Sequence, residues 1–191
     1  RGKWVCDQCD TLTQQAMPAY VIDKGIASPE LLSHVLVSKY ADHLPLYRQR
    51  LIYQRAGIEL SRSTLSDWIG RCGVELEPLA NALKEVVLQQ QVLHADETPV
   101  TIMRMGENEK KPKKGYVWAY ATTQYNPVQA VIYDFQDSRS GQHAEEFLKG
   151  WQGYLVCDDY SGYKARFKSG QVIEVGCMAH ARRKFHELHV T

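Results

Sequence analysis

Val92-Leu93-His94-Ala95-Asp96-Glu97-Thr98-Pro99-Val100 is the stretch around which the rest of the chain is read. Val92, Leu93 and Ala95 form a short apolar run that suits a buried strand. Thr98-Pro99 is expected to end that strand, because proline removes a ladder donor and restricts the residue before it. Asp96 and Glu97 then sit where a strand gives way to a loop. Acids in such a place cost desolvation energy unless something positive, often a metal ion, compensates them. The plainer reading is a turn-forming Asp at a strand end, and this stretch alone leaves both open.

Downstream, the pattern stays β-rich. Residues 104–114 are polar and read as a hairpin tip. Residues 116–122 place aromatics at 116, 118 and 120 with small apolar residues between them, a strand covered on both faces. Asn126-Pro127 turns the chain into a third strand, residues 128–134. Ser138 or Ser140 can cap a helix running to Lys149, with Ala144, Phe147, Leu148 and then Trp151 inward. A fourth strand (154–158), a short helix or turn (160–167), a fifth strand (172–175) and a helix (179–188) follow. Ala181, Phe185 and Leu188 are expected to face inward from that last helix.

Three strands joined by short turns make an antiparallel meander, and the helix after them is a crossover. Such a crossover is right-handed and lays the fourth strand parallel to an earlier one. If the fourth pairs with the first, Asp96 and Asp158 end adjacent parallel strands at one edge, where sites form in open α/β sheets. The class is α/β, with a ribonuclease H-like mixed sheet. Two carboxylates there repel each other and call for a cation. Oxygen ligands suit Mg²⁺ or Mn²⁺. Two such ions, roughly 3.5–4 Å apart, activate a nucleophilic oxygen and stabilise the leaving oxygen of a phosphodiester. The plain alternative makes Asp158-Asp159 a turn whose Asp caps a helix starting near Ser161.

The upstream half is helical. Ser28 caps a first helix with Pro29 at its first position and Leu31, Leu32, Val35 and Leu36 as its stripe. Pro45 opens a second, with Tyr47, Leu51 and Ile52 inward and Gly57 as its stop. Ser61 or Ser63 caps a third, where Leu65, Trp68, Ile69 and Cys72 lie at helical spacing. Leu76, Leu79, Leu83 and Val86 mark a fourth. The second helix, the turn at Gly57 and the third resemble a helix-turn-helix. Arg48, Arg50, Arg55, Arg62 and Arg71 supply charge for phosphate contact, though a helical hairpin with solvated arginines fits equally. Composition shifts near residue 90, so residues 28–90 form an all-helical DNA-binding-like module and residues 91–191 the sheet domain. Residues 1–27 hold a linker and the pair Cys6 and Cys9, either half of a tetrahedral zinc site whose second pair is missing nearby or a redox-inert or disordered remnant.

Of 191 residues, 44% are hydrophobic, enough for a core, and the net charge of +1 gives no global argument for nucleic acid. No secretory signal and no bilayer-length apolar run is present, so no membrane partner is expected. Five cysteines, an odd number without a signal, favour reduced thiols, a metal half-site or core residues over a disulfide framework, with cytoplasm as the default. The chain opens on Arg1 without an initiator Met and stops inside a helical pattern. It reads as part of a longer protein.

Several long motifs resemble the insertion sequence 66 family of bacterial transposases, in order and over nearly the whole chain. They are Ser38-Lys39-Tyr40-Ala41-Asp42-His43-Leu44-Pro45-Leu46-Tyr47-Arg48, Ser63-Thr64-Leu65-Ser66-Asp67-Trp68, His94-Ala95-Asp96-Glu97-Thr98-Pro99 and Tyr116-Val117-Trp118. Ser138-Arg139-Ser140-Gly141, Gly153-Tyr154-Leu155-Val156-Cys157-Asp158-Asp159-Tyr160-Ser161-Gly162-Tyr163 and Gly176-Cys177-Met178-Ala179-His180-Ala181-Arg182-Arg183-Lys184-Phe185 continue the series. The resemblance implies a DDE transposase of an insertion element, a metal-dependent phosphoryl-transfer enzyme. Asp96 matches the first acid and Asp158 the second, both holding Mg²⁺ or Mn²⁺. Asp159 falls where the family usually has a small residue. Water attacks a phosphodiester at the element's end, and the freed 3′-hydroxyl then attacks target DNA. The third acid, a Glu, would fall beyond Thr191, so the fragment alone is expected to be inactive.

The resemblance also makes Cys6 and Cys9 the second half of a zinc-binding segment. Cys177 and His180 form a CxxH pair, a second Zn²⁺ half-site or else a core Cys and a packed His. Arg182, Arg183 and Lys184 are candidate phosphate contacts, or a solvated helix end. Expected partners are DNA, further copies of the chain on DNA and accessory element-encoded proteins, in the bacterial cytoplasm at the nucleoid. Two other readings stand beside the enzyme: a catalytically inactive DNA-binding transposase remnant, and a ribonuclease H-like nuclease that cuts without joining.

Overall fold

The computed structural model describes residues 2–14, 20–23, 25–102, 112–168 and 170–190. Much of the 104–114 hairpin tip and part of the linker before Ile26 lie outside these residues, as does the side chain of Lys184. The chain divides into two compact units, 1–78 and 79–191.

In the first unit, β1 (Lys3–Val5) and β2 (Leu12–Gln14) form an antiparallel hairpin whose turn carries Cys6 and Cys9. Helix α1 (Pro29–Tyr40) begins as expected: the Leu31 N–H donates to Ser28 Oγ at 3.4 Å, with Pro29 in the first turn. Helix α2 (Leu46–Arg55) starts after Pro45. It ends in a Schellman turn, where the Ile58 N–H donates to the Tyr53 carbonyl and the Gly57 N–H to that of Gln54. Gly57 takes φ +78°, which favours a residue without Cβ.

Two readings of this unit are corrected. Tyr47, Leu51 and Ile52 are exposed, and α2 instead buries Gln49 and Tyr53. Gln49 enters the core because its amide nitrogen donates to the Val35 and Leu44 carbonyls at 3.2 and 3.1 Å. The third and fourth helices are a single α3 (Arg62–Leu88), capped by Ser61, whose Oγ accepts from the Thr64 N–H at 3.0 Å. Gly73 and Pro78 lie within it, a tolerated cost rather than a break. The apolar core of the unit joins Leu32 and Val35 with Tyr53, Leu60, Leu65, Trp68 and Cys72.

The second unit is built on a five-stranded mixed sheet. Its strands are β3 (Val92–Ile102), β4 (Lys113–Thr122), β5 (Val131–Gln136), β6 (Gly153–Cys157) and β7 (Val172–Gly176), in the order β5-β4-β3-β6-β7. β3, β4 and β5 form the expected antiparallel meander. Helix α4 (Gly141–Phe147) then carries the chain across, and β6 runs parallel to β3, with β7 parallel to β6. Ser140 caps α4, accepting from the Gln142 N–H. A 3-10 turn (Ser161–Tyr163) and α5 (Lys164–Phe167) precede β7, and α6 (Met178–Val190) follows it.

Side chains alternate across a strand, and here the alternation divides sharply. Leu93, Ala95, Trp118, Tyr120, Leu155 and Cys157 share the buried face, packed by Ala144, Phe147, Leu148 and Trp151 from α4 and the segment after it. Tyr120 stacks on Phe147 with ring centroids 3.7 Å apart. On the other face Tyr133, Phe135, Tyr154 and Ile173 are exposed.

Two further expectations fail. Thr98-Pro99 does not end the strand, since β3 runs on to Ile102, paired with β4 throughout. Pairing with β6 stops at His94, so Pro99 lies beyond it on an edge that demands no ladder donor. Asp96 and Glu97 therefore lie within a strand. In α6, Phe185 and Leu188 are exposed to 74% and 78% rather than inward. Helical spacing tells which residues share a face, not what covers it. Among the described residues, no helix is long and apolar enough to cross a membrane.

Candidate active site

The parallel pairing of β3 with β6 runs toward Asp96 and Asp158. The last register pair is His94 with Val156, and two more residues along each strand direction lead to Asp96 and Asp158. Alternation sets both on the face opposite the core. Each carboxylate has one oxygen taken by a local backbone donor: Asp96 Oδ1 accepts from the Glu97 N–H at 2.9 Å, and Asp158 Oδ1 from the Tyr160 N–H at 3.0 Å. Asp159, by contrast, is drawn to Lys164 Nζ at 2.7 Å.

Immediately beside Asp96, Glu97 points the other way, with its side chain only 1% exposed. Its Oε1 accepts from Arg139 Nε and Nη2 at 2.9 and 2.5 Å, and its Oε2 from the Tyr163 hydroxyl at 2.8 Å. Glu97 holds the Arg139 guanidinium more firmly protonated, chiefly through these hydrogen bonds. Burial first, and the Glu97 charge second, push the Tyr163 phenol far up. The Arg139 guanidinium lies over the Tyr160 ring at 3.9 Å, and the Tyr160 hydroxyl donates to the Arg139 carbonyl. A chain of contacts thus runs from Asp158 through Tyr160 and Arg139 to Glu97, the neighbour of Asp96.

The loops that carry these groups meet closely. A Cβ at Gly141 would sit 2.4 Å from the Gly162 carbonyl oxygen, so the start of α4 and the 3-10 turn can touch only through glycine. The sequence reading singled out Glu97 as an acid needing compensation but set it at a strand end, and it missed Arg139, Tyr160 and Tyr163 as its surroundings. A signal existed: in a strand with Leu93 and Ala95 inward, Glu97 must also be inward, and a buried carboxylate needs a cationic partner.

A cleft beside this cluster is lined by Arg139, Asp158, Tyr160, Cys177, His180 and Arg183, among others. Asp96 is not among its lining residues. Cys177 and His180 are together there: hydrogen bonds from the His180 backbone, opposed by burial, hold the Cys177 thiol below its ordinary range. His180 Nδ1 is buried with no hydrogen-bond partner among the described residues. Cys157 is buried, and its thiol is pushed up to about 12. Glu174 accepts from Lys164 Nζ at 2.6 Å.

The remaining candidates fall elsewhere. Cys6 and Cys9 are exposed in the β1–β2 turn, where hydrogen bonds from Thr11, with a smaller one from Cys6, lower the Cys9 thiol. Arg48, Arg50, Arg55 and Arg62 are exposed, and so is Arg71, which spends its charge on Asp67 at 3.0 Å. Arg182 and Arg183 are exposed on α6. Among the described residues, no group of three or more His, Cys, Asp and Glu side chains gathers for a metal ion. Two hard carboxylates with free oxygens suit a Mg²⁺- or Mn²⁺-type ion, and the two thiols of the hairpin suit half of a zinc shell.

A family model described as Transposase IS66 family matches residues 24–191. Three curated proteins of Sinorhizobium fredii are similar over almost the whole chain, each described as uncharacterized. Protein y4qI is 40% identical over all of this chain, y4jD 37% over 97% and y4hP 32% over 98%. The chain spans 37%, 38% and 35% of their respective lengths, little more than a third.

Proposed function

The chain belongs to the IS66 family of transposases, and we propose that it carries the first two acids of a DDE-type DNA transposase, Asp96 and Asp158. The observation that supports this reading is the parallel pairing of β3 and β6, with Asp96 and Asp158 each two residues beyond its last register pair. The strand order β5-β4-β3-β6-β7, a meander followed by two parallel strands, supports a ribonuclease H-like core. Divalent ions bound there would activate the attacking oxygen and stabilise the leaving oxygen of a phosphodiester.

The chain's own part is positional. The Glu97 and Tyr160 backbone N–H groups fix one oxygen of each acid, leaving the other free to take a cation. A third acid, expected beyond Thr191, completes the ligand set. Residues 28–90 are read as the DNA-binding module, with Arg48, Arg50, Arg55 and Arg62 on its surface, and residues 91–191 as the catalytic core. The exposed thiols of Cys6 and Cys9 are read as half of a zinc site completed upstream, and Cys177 with His180 as a second pair. Activity on paired DNA ends calls for more than one copy.

The test is made in the full-length transposase. Asp96→Asn and Asp158→Asn should each abolish Mg²⁺-dependent cutting and joining of end DNA while binding persists, and chelation with EDTA should do the same. Cutting at the wild-type rate by either variant would remove that residue from the site.

A further inference from the structure

Arg139 is held too tightly, and in too exposed a place, for an ion pair that serves stability alone. Burying a carboxylate to 1% exposure costs desolvation that pairing rarely more than recovers, so such pairs are weak sources of stability. Yet Glu97 engages only Nε and Nη2, and the Arg139 side chain is 44% exposed. Nη1 has no protein partner among the described residues, and Arg139 lines the same cleft as Asp158. Tyr160 supports the guanidinium from below at 3.9 Å. The result is a planar cation oriented by a buried acid and an aromatic ring, beside a cleft that Asp158 also lines. Arginine in that posture suits a phosphate oxygen, which its fork can meet with two N–H groups.

We propose that Arg139 binds a backbone phosphate of the DNA at the catalytic acids, with Glu97 and Tyr160 as its positioning residues. This rests on the transposase reading, which it deepens by naming the residue that seats the phosphodiester. The contact is to the backbone and so independent of sequence.

One phosphate contact gives a specific signature. In the full-length protein, with EDTA present so that no cutting occurs, binding of a nonspecific duplex is measured against salt. Arg139→Gln should flatten the plot of log affinity against log salt by about 0.9, the loss of one neutralised phosphate, whereas Arg139→Lys should keep the slope. A merely structural arginine would not move that slope, and an unchanged slope in Arg139→Gln overturns the proposal. Should that variant fail to fold, phenylglyoxal modification of the wild-type protein replaces it. Duplex should protect Arg139, as read by peptide mass mapping, and modification unaffected by duplex overturns the proposal. Asp96→Asn and Asp158→Asn are assayed for cutting alongside. If both still cut, the transposase-site reading fails whatever Arg139 does. If both are dead and the slope is unchanged, only the arginine contact fails.

Discussion

Removing the Arg139 side chain tests how the buried acid beside the site is compensated. Arg139→Ala strips two charge-assisted hydrogen bonds from Glu97 Oε1 and leaves that oxygen in a 1% exposed environment, with only Tyr163 on the other oxygen. Breaking a fully buried pair costs about 3–5 kcal/mol. Arg139 is 44% exposed, so water partly fills the vacated space, and the expected loss falls to about 2–4 kcal/mol. Glu97→Gln keeps the shape and leaves the cation within reach of water, so its cost should be about 1–2 kcal/mol. The double variant no longer buries a charge. It should cost less than the sum of the two, with a coupling of at least about 1 kcal/mol. Native-state hydrogen exchange of the slowest β3 and β4 amides reports the second unit alone, and a loss of 2–4 kcal/mol speeds it about thirty- to a thousandfold. Arg139→Ala exchange within threefold of wild type, or a strictly additive cycle, would refute the compensation.

Three other outcomes follow from the packing. Tyr120 buries its hydroxyl with no partner among the described residues, so Tyr120→Phe should be neutral or raise stability by up to about 1 kcal/mol in urea unfolding; a loss above about 1 kcal/mol means that a partner exists. Gly141→Ala drives a methyl to 2.4 Å from the Gly162 carbonyl oxygen, and the backbone must yield, at about 1–3 kcal/mol by the same assay; an unchanged midpoint would mean that the two loops do not meet. Thiolate is the reactive form of cysteine, so the lowered Cys177 thiol should react with iodoacetamide from a lower pH than a free cysteine. Cys157, pushed up to about 12, should stay inert until strongly alkaline pH; peptide mass mapping that finds Cys157 alkylated first would reverse the assignment.

Local grammar in this chain is legible where a single residue type decides the backbone. Ser28-Pro29, Ser61, Ser140 and the Gly57 turn mark helix ends that occur where expected. The meander and the crossover follow from element order, whereas the pairing of β6 with β3 was one of the arrangements left open and is supplied by the structure. What was not legible depends on neighbours. Pro99 breaks a strand only if its ladder partner is present, and β6 stops short of it. Gln49 reads as surface until two carbonyls are found to receive its amide. The Glu97–Arg139 contact joins positions 42 residues apart, a pairing that no periodicity encodes.

Alternation in β3 hands two consecutive carboxylates opposite fates, Asp96 toward the open face and Glu97 into the core. The strand is therefore a switchboard that does not tolerate displacement. Adding or deleting one residue between Val92 and Asp96 would rotate every later side chain by half a turn, sending an aspartate too short to meet Arg139 inward and a glutamate outward to the open face. Drift along this lineage should accordingly be poor in changes of the length of β3.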